Sequence, residues 1–284
     1  MNPPHTNEEG SLFFAGGVEA SGVLARGVLL DLLRPEGADG AKVPLAICSK
    51  LDLTLYVART HGPHDPPFGS GDIAVWLTWR QSQRLGADPG RHRYHPDLSD
   101  PLLQADWSAA RSAAVWNALD PSLIAATVAY FHDHVAGGHV RVHAPVWNVA
   151  GGVGLTIGTR AALGPGEVSR FLDVYAATRW GVASVYVRDL EASGSRSFGY
   201  GAAVHALRVS RRFRLGVATD LWTEPAAADV RADDSGWHVA GEVDARLAGR
   251  WGLAVRLGSK SPGFLPGLPL ADGPYGGLGV TVTW

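Results

Sequence analysis

The sequence predicts an all-β fold: a closed antiparallel transmembrane β-barrel of about 12 strands, or about 14 with short turns. Three observations predict it. Apolar residues recur at every second position over long stretches, most clearly in the C-terminal half. Small and charged residues gather on the opposite parity. Tryptophan stands near the ends of several alternating runs, at Trp147, Trp237, Trp251 and Trp284.

Taken in chain order, less regular strands are expected near 12–20 and 23–33. KLDLTLYVAR (50–59) groups Leu51, Leu53, Leu55 and Val57 against Asp52, Thr54 and Tyr56. GDIAVWLTWR (71–80) sets Ile73, Val75, Leu77 and Trp79 against Trp76, Thr78 and Arg80. Further crossings are expected at 107–117, 122–135 and 138–146. The alanine-rich stretch SAARSAAVWNAL (108–119) also fits a surface helix. Strands then follow at 147–160, 168–180, 182–190, 197–209, 213–222, 237–248, 251–258 and 276–284, and merging of a few neighbours brings the count to about 12 to 14 crossings. Turn chemistry separates them, as in GADPG (86–90), LGPGE (163–167) and EASGSRS (191–197). The longest connections are 82–103 and 259–275. No repeat or linker divides the chain, so residues 1–284 are expected to form a single barrel domain, with a polar segment at 1–10.

Composition narrows the function classes. The 284 residues are 46% hydrophobic and only 18% charged, where about a quarter is usual. A formal net charge of -2 and the absence of a basic patch exclude nucleic acid as an expected partner. The one cysteine, Cys48, allows no intrachain disulfide. No run of 18 apolar residues marks a transmembrane helix. The start, MNPPHTNEEG, has no secretory pattern, so either the chain stays in the cytosol or Met1 stands near a mature end, and the barrel pattern favours the second. A packed β-sandwich should bury its large side chains inside. Here Gly152, Gly154, Gly158, Gly216 and Gly252 share the polar face instead, which fits small residues inside a barrel and lipid outside.

The ending GGLGVTVTW (276–284) carries Leu278, Val280 and Val282 on one parity and closes on Trp284. It resembles the C-terminal assembly signal of Gram-negative outer-membrane β-barrel proteins. The resemblance implies a bacterial outer-membrane location, contact with outer-membrane lipid, and a last strand that pairs with the first. It directly covers only that last strand. Counting back from Trp284, it implies that 259–275 and 223–236 are external loops.

Several groups are candidates for chemistry. YFHDHVAGGHVRVHAP (130–145) reads as a hairpin bringing His132, His134, His139 and His143 together. Such a cluster fits a metal site, or a merely polar rim. No other cofactor is expected. Arg214, Asp220, Glu242, Asp244 and Arg246 are expected to line the lumen, either as a bonded network or as a channel wall. Phe264, Leu265, Leu268 and Leu270, in a proline-rich loop, fit a self-packed rim or a docking surface for an envelope protein. Hydrolysis needs a serine with a histidine base. His132-Asp133-His134 lacks the serine, and His205 reaches Ser193, Ser195 or Ser197 only through space. The leading expectation is therefore a non-enzymatic barrel, a narrow channel for small solutes or a structural subunit of an envelope complex. The alternatives are an outer-membrane lipid- or glycan-modifying enzyme and a soluble β-rich binding protein.

Overall fold

The structure, a computed structural model, describes residues 7–60, 72–86, 97, 99–149, 151–223, 235–247, 251–268 and 272–282. Its N-terminal half is helical. Helices α1 (Asn7–Leu33), α2 (Lys42–Arg59), α3 (Asp72–Arg84), α4 (Pro101–Ala118) and α5 (Pro121–Ala129) are followed by a π-helix at Tyr130–Ala136. Strands β1 (Ala38–Asp39) and β2 (Arg141–Val142) form a small two-stranded ladder.

The reasons are local. Asp100 and Asp120 each cap a helix through the side chain, onto the N–H of Leu102 and of Ser122, and each is followed by proline at the first helical position. On α2 the buried residues are Val43, Ala46, Lys50, Leu53 and Val57, alternately three and four apart, as one face of a helix requires. The alternation of Leu51, Leu53, Leu55 and Val57 is real in the sequence, but Leu55 is exposed and Leu53 is core. The expected strands over 12–20, 23–33, 50–59, 71–80, 107–117 and 122–135 are thus replaced by helix over their described residues.

The C-terminal half is a nine-stranded antiparallel meander: β3 (Trp147–Val149), β4 (Val153–Leu163), β5 (Val168–Thr178), β6 (Gly181–Ala192), β7 (Ser195–Arg208), β8 (Phe213–Thr223), β9 (Ser235–Arg246), β10 (Trp251–Lys260) and β11 (Gly273–Val282). From 168 onward, strands fall close to where the two-residue alternation places them, but the expected single strand over 147–160 folds back at Gly151 and Gly152 into the hairpin β3–β4, and 138–146 keeps only β2. The sheet does not close. Among the described residues β3 pairs only with β4 and β11 only with β10. Nine strands with two free edges overturn the all-β closed barrel and its count of about 12 strands, and with it the outer-membrane barrel resemblance. The expectations of a channel, an outer-membrane location and a lipid partner rested on closure and fall with it. Among the described residues no helix is long and apolar enough to cross a membrane.

Helices pack on one face of the sheet, here called inner. The largest core cluster joins Leu53, Trp76, Leu77, Leu103 and Trp107 to Leu163 and Val168 at the β4–β5 turn. The Trp76 indole N–H donates to the Gly164 carbonyl at 2.9 Å. A second cluster seats Val28 and Leu32 of α1 on Tyr175 and Val182. Burial on this scale is the main stabilising term, at about 25 cal/mol per Å² of apolar surface. Between the layers, Lys50 meets Asp120 at 2.8 Å, both almost fully buried. Burial holds the Lys50 ammonium below its ordinary range, although Asp120 opposes that shift.

The outer face is uncovered. Tyr200, Leu221 and Trp237 lie side by side in register there and are all exposed. Val217, Val239 and Leu278 share that face.

Candidate functional site: a polar cavity between α1 and the sheet

Beyond the β4–β5 region the inner face is not packed tight. A cavity of about 310 Å³ opens between α1 and strands β6–β10. Val23, Arg26, Gly27, Leu30 and Arg34 form its helical wall, spaced as one stripe of α1. Asp220, His238, Glu242 and Arg256 form its sheet wall. Leu265, Pro266 and Leu268 from the β10–β11 connection roof it. That roof is anchored. Phe264 is buried against Ala162, Phe171 and Tyr186, and the Gly267 N–H donates to the Glu19 carboxylate on α1. Gly267 adopts φ +78°, a left-handed turn that glycine enters without a Cβ clash.

Two polar systems face each other across the cavity. On the sheet, the Asp220 carboxylate accepts from the Tyr186 hydroxyl and lies 2.5 Å from His238 Nδ1. His238 Nε2 lies 2.5 Å from the Tyr275 hydroxyl. With Nδ1–H donating to Asp220, Nε2 accepts from Tyr275. Burial pushes the Tyr275 hydroxyl above its ordinary pKa, which keeps it protonated for that bond. Two glycines make the chain possible. A Cβ on Gly201 would stand 2.5 Å from the Tyr186 ring, and one on Gly258 2.5 Å from the Tyr275 ring. Each ring lies across the backbone of its neighbouring strand.

The second system is cationic. Arg160 donates to Asp173 at 2.9 Å and stacks over Phe171, 3.6 Å from the ring centre. Arg26 approaches the same carboxylate at 3.9 Å. Arg34 donates to Asp31 at 2.7 Å. The Nε atoms of Arg26 and Arg34 are nonetheless buried and without a hydrogen-bond partner among the described residues. His205 projects here because β7 breaks register between Val204 and Leu207, with Ala206 left-handed at φ +51°. Its Nε2 lies 2.9 Å from Ser184 Oγ. Burial pushes His205 down to about 3, helped by the charges of Arg26 and Arg34. Three guanidiniums, those of Arg26, Arg34 and Arg160, stand around this imidazole, with Asp173 and Asp31 as their carboxylate partners. Burial likewise pushes the neighbouring Tyr175 up to about 12.

The sequence candidates distribute unevenly. Asp220 and Glu242 line the cavity. Arg214, Asp244 and Arg246 share their sheet face further along, where Arg214 pairs with Glu36 at 2.8 Å. That face is the inner face of an open sheet, so no lumen exists for them to line. Leu265 and Leu268 roof the cavity, Phe264 is core, and Leu270 lies outside the described residues.

The four histidines do not converge. His132 and His134, two apart on a helix, do not face each other. His134 Nδ1 sits 2.6 Å from the His139 carbonyl, and His143 Nε2 is 3.2 Å from the Pro35 carbonyl. Among the described residues no group of three or more His, Cys, Asp or Glu could hold a metal ion, so the metal expectation for His132, His134, His139 and His143 is overturned. Arg26, Arg34, Tyr186 and Tyr275 were not legible as site residues. The signal for the first two was present in the spacing of Val23, Arg26, Leu30 and Arg34, which is helical.

No family model, curated protein or solved structure matches this chain. The cavity itself therefore carries the functional reading.

Proposed function

We propose that this is a binding protein for a compact organic anion, a small carboxylate or phosphate ester. One observation carries the reading. The guanidiniums of Arg26 and Arg34 line the cavity, and each keeps an Nε–H without an acceptor among the described residues. An anionic oxygen set against these guanidiniums gains charge-assisted bonds. The volume is at the lower end of ligand pockets, which run from about 300 Å³ upward. Val23, Leu30, Leu265 and Leu268 offer apolar contact for the rest of the molecule.

A hydrolytic reading of Ser184 and His205 is weaker. A general base works best with a pKa near the working pH, and an imidazole near 3 takes the serine proton poorly at neutrality. Binding without turnover is the better reading. Thermal unfolding of the chain with inorganic phosphate and a series of short carboxylates tests it. At least one should raise the midpoint in proportion to the logarithm of its concentration. A flat response across the whole series, with Arg26→Gln indistinguishable from the unaltered chain, would overturn it.

A further inference from the structure

The two edges of the sheet are managed differently. β3 is three residues long, and a short strand offers little to pair with. β11 is ten residues long and pairs with β10 in unbroken register from Lys260↔Gly273 to Trp251↔Val282. Its sequence, GPYGGLGVTV, has no charged residue. Its one proline is at its second position, and no bulge twists it away. It therefore lacks most of the devices by which an exposed edge is kept from pairing with another chain. Its outer-face side chains are also unprotected. Leu278 is 74% exposed and Val280 65%, beside Leu257 at 65%.

We infer that β11 is an assembly edge, and that its occupant is β11 of a second copy of this chain, paired antiparallel about a two-fold axis. Three features favour a second copy over a different partner. A strand pairing antiparallel with itself is self-complementary, which a two-fold interface requires. The strand and its outer-face neighbours Leu253, Val255 and Leu257 bring no charge, so two copies meet without like-charge repulsion. Only one edge is long, so pairing there closes the assembly at two copies and leaves the short β3 edges outermost. The pairing sets Leu278 and Val280 of the two copies in adjacent rows on the outer face. Neither residue lines the cavity, so the inference stands apart from the proposed ligand function.

Sedimentation of the full chain in detergent-free buffer tests it. The expected species has twice the chain mass. Leu278→Lys, at the middle of the strand, places two like charges close together across the two-fold and is expected to sediment as a monomer with an unchanged far-ultraviolet circular dichroism spectrum. Should that variant fail to fold, Leu278→Cys in a Cys48→Ser background gives an independent readout. A short bis-maleimide is expected to cross-link it into a dimer, whereas Leu102→Cys on α4 stays monomeric. Three outcomes overturn the inference: a monomeric unaltered chain, a dimer that survives Leu278→Lys, or a chain that needs detergent or binds phosphatidylcholine vesicles through this face.

Discussion

The Ser184 hydroxyl stands 2.9 Å from Nε2 of His205, and that imidazole is held neutral far below its ordinary titration range by burial and by Arg26 and Arg34. The pair therefore reports on the charge of the cavity. Its folded pKa, about 3, is lower than the ordinary value of about 6.5. Between those values the unfolded chain binds the extra proton. Stability contributed by a neutral His205 is thus present above about pH 6.5 and lost as pH falls toward 3. Urea unfolding at successive pH values should show a slope for this site approaching about 1.4 kcal/mol per pH unit within the window. His205→Gln should remove that component, and an unchanged slope would show that His205 titrates normally.

An anion bound between Arg26 and Arg34 offsets the charges that depress His205. Binding should therefore raise the His205 pKa and, in acid solution close to that pKa, take up protons and tighten as pH falls while the ligand stays ionised. Calorimetry of binding in acid buffers of different ionisation enthalpy measures the proton number directly. Proton release in that acid range, or none, goes against the placement of the anion beside His205.

The Tyr186–Asp220–His238–Tyr275 chain depends on Gly201. Alanine there places a Cβ 2.5 Å from the Tyr186 ring, which is already held by Phe171 and Arg160. Gly201→Ala should cost about 1–3 kcal/mol, as overpacking does. Gly241→Ala is the control. Nothing lies within 4 Å of its added Cβ, and its effect should stay within about 0.5 kcal/mol. Equal effects at the two sites would mean the ring is free to move.

Asp120 both caps α5 and pairs with buried Lys50. Asp120→Ala should destabilise by about 3–5 kcal/mol, because it strands a buried ammonium. Adding Lys50→Met should recover much of the loss, since an apolar side chain needs no partner there. Additive losses in the double variant would place the cost in the cap alone.

The strands were readable because a half-exposed antiparallel sheet writes its register into a two-residue alternation, as at Phe213–Thr223 and Trp251–Lys260. The helices were hidden by the same signal. α2 carries leucines at 51, 53 and 55 that alternate by chance of packing, while its true face runs Val43, Ala46, Lys50, Leu53 and Val57. The Asp100-Pro101 and Asp120-Pro121 pairs were the available helix-start signals. The inner glycines pointed to a lumen when read alone. Gly201 and Gly258 instead make room for tyrosine rings. Which polar residues share the inner face was legible from parity, as for Asp220 and Glu242. The opposing wall was not, because Arg26 and Arg34 arrive on a helix that the alternation conceals.

Titration calorimetry of the chain with the best stabilising anion, repeated on Arg26→Gln and Arg34→Gln, tests the cavity's role most directly. Binding at one site per chain should weaken by about 10-fold or more in each variant, the equivalent of one charge-assisted hydrogen bond. Affinity left unchanged by both substitutions would contradict anion binding in this cavity.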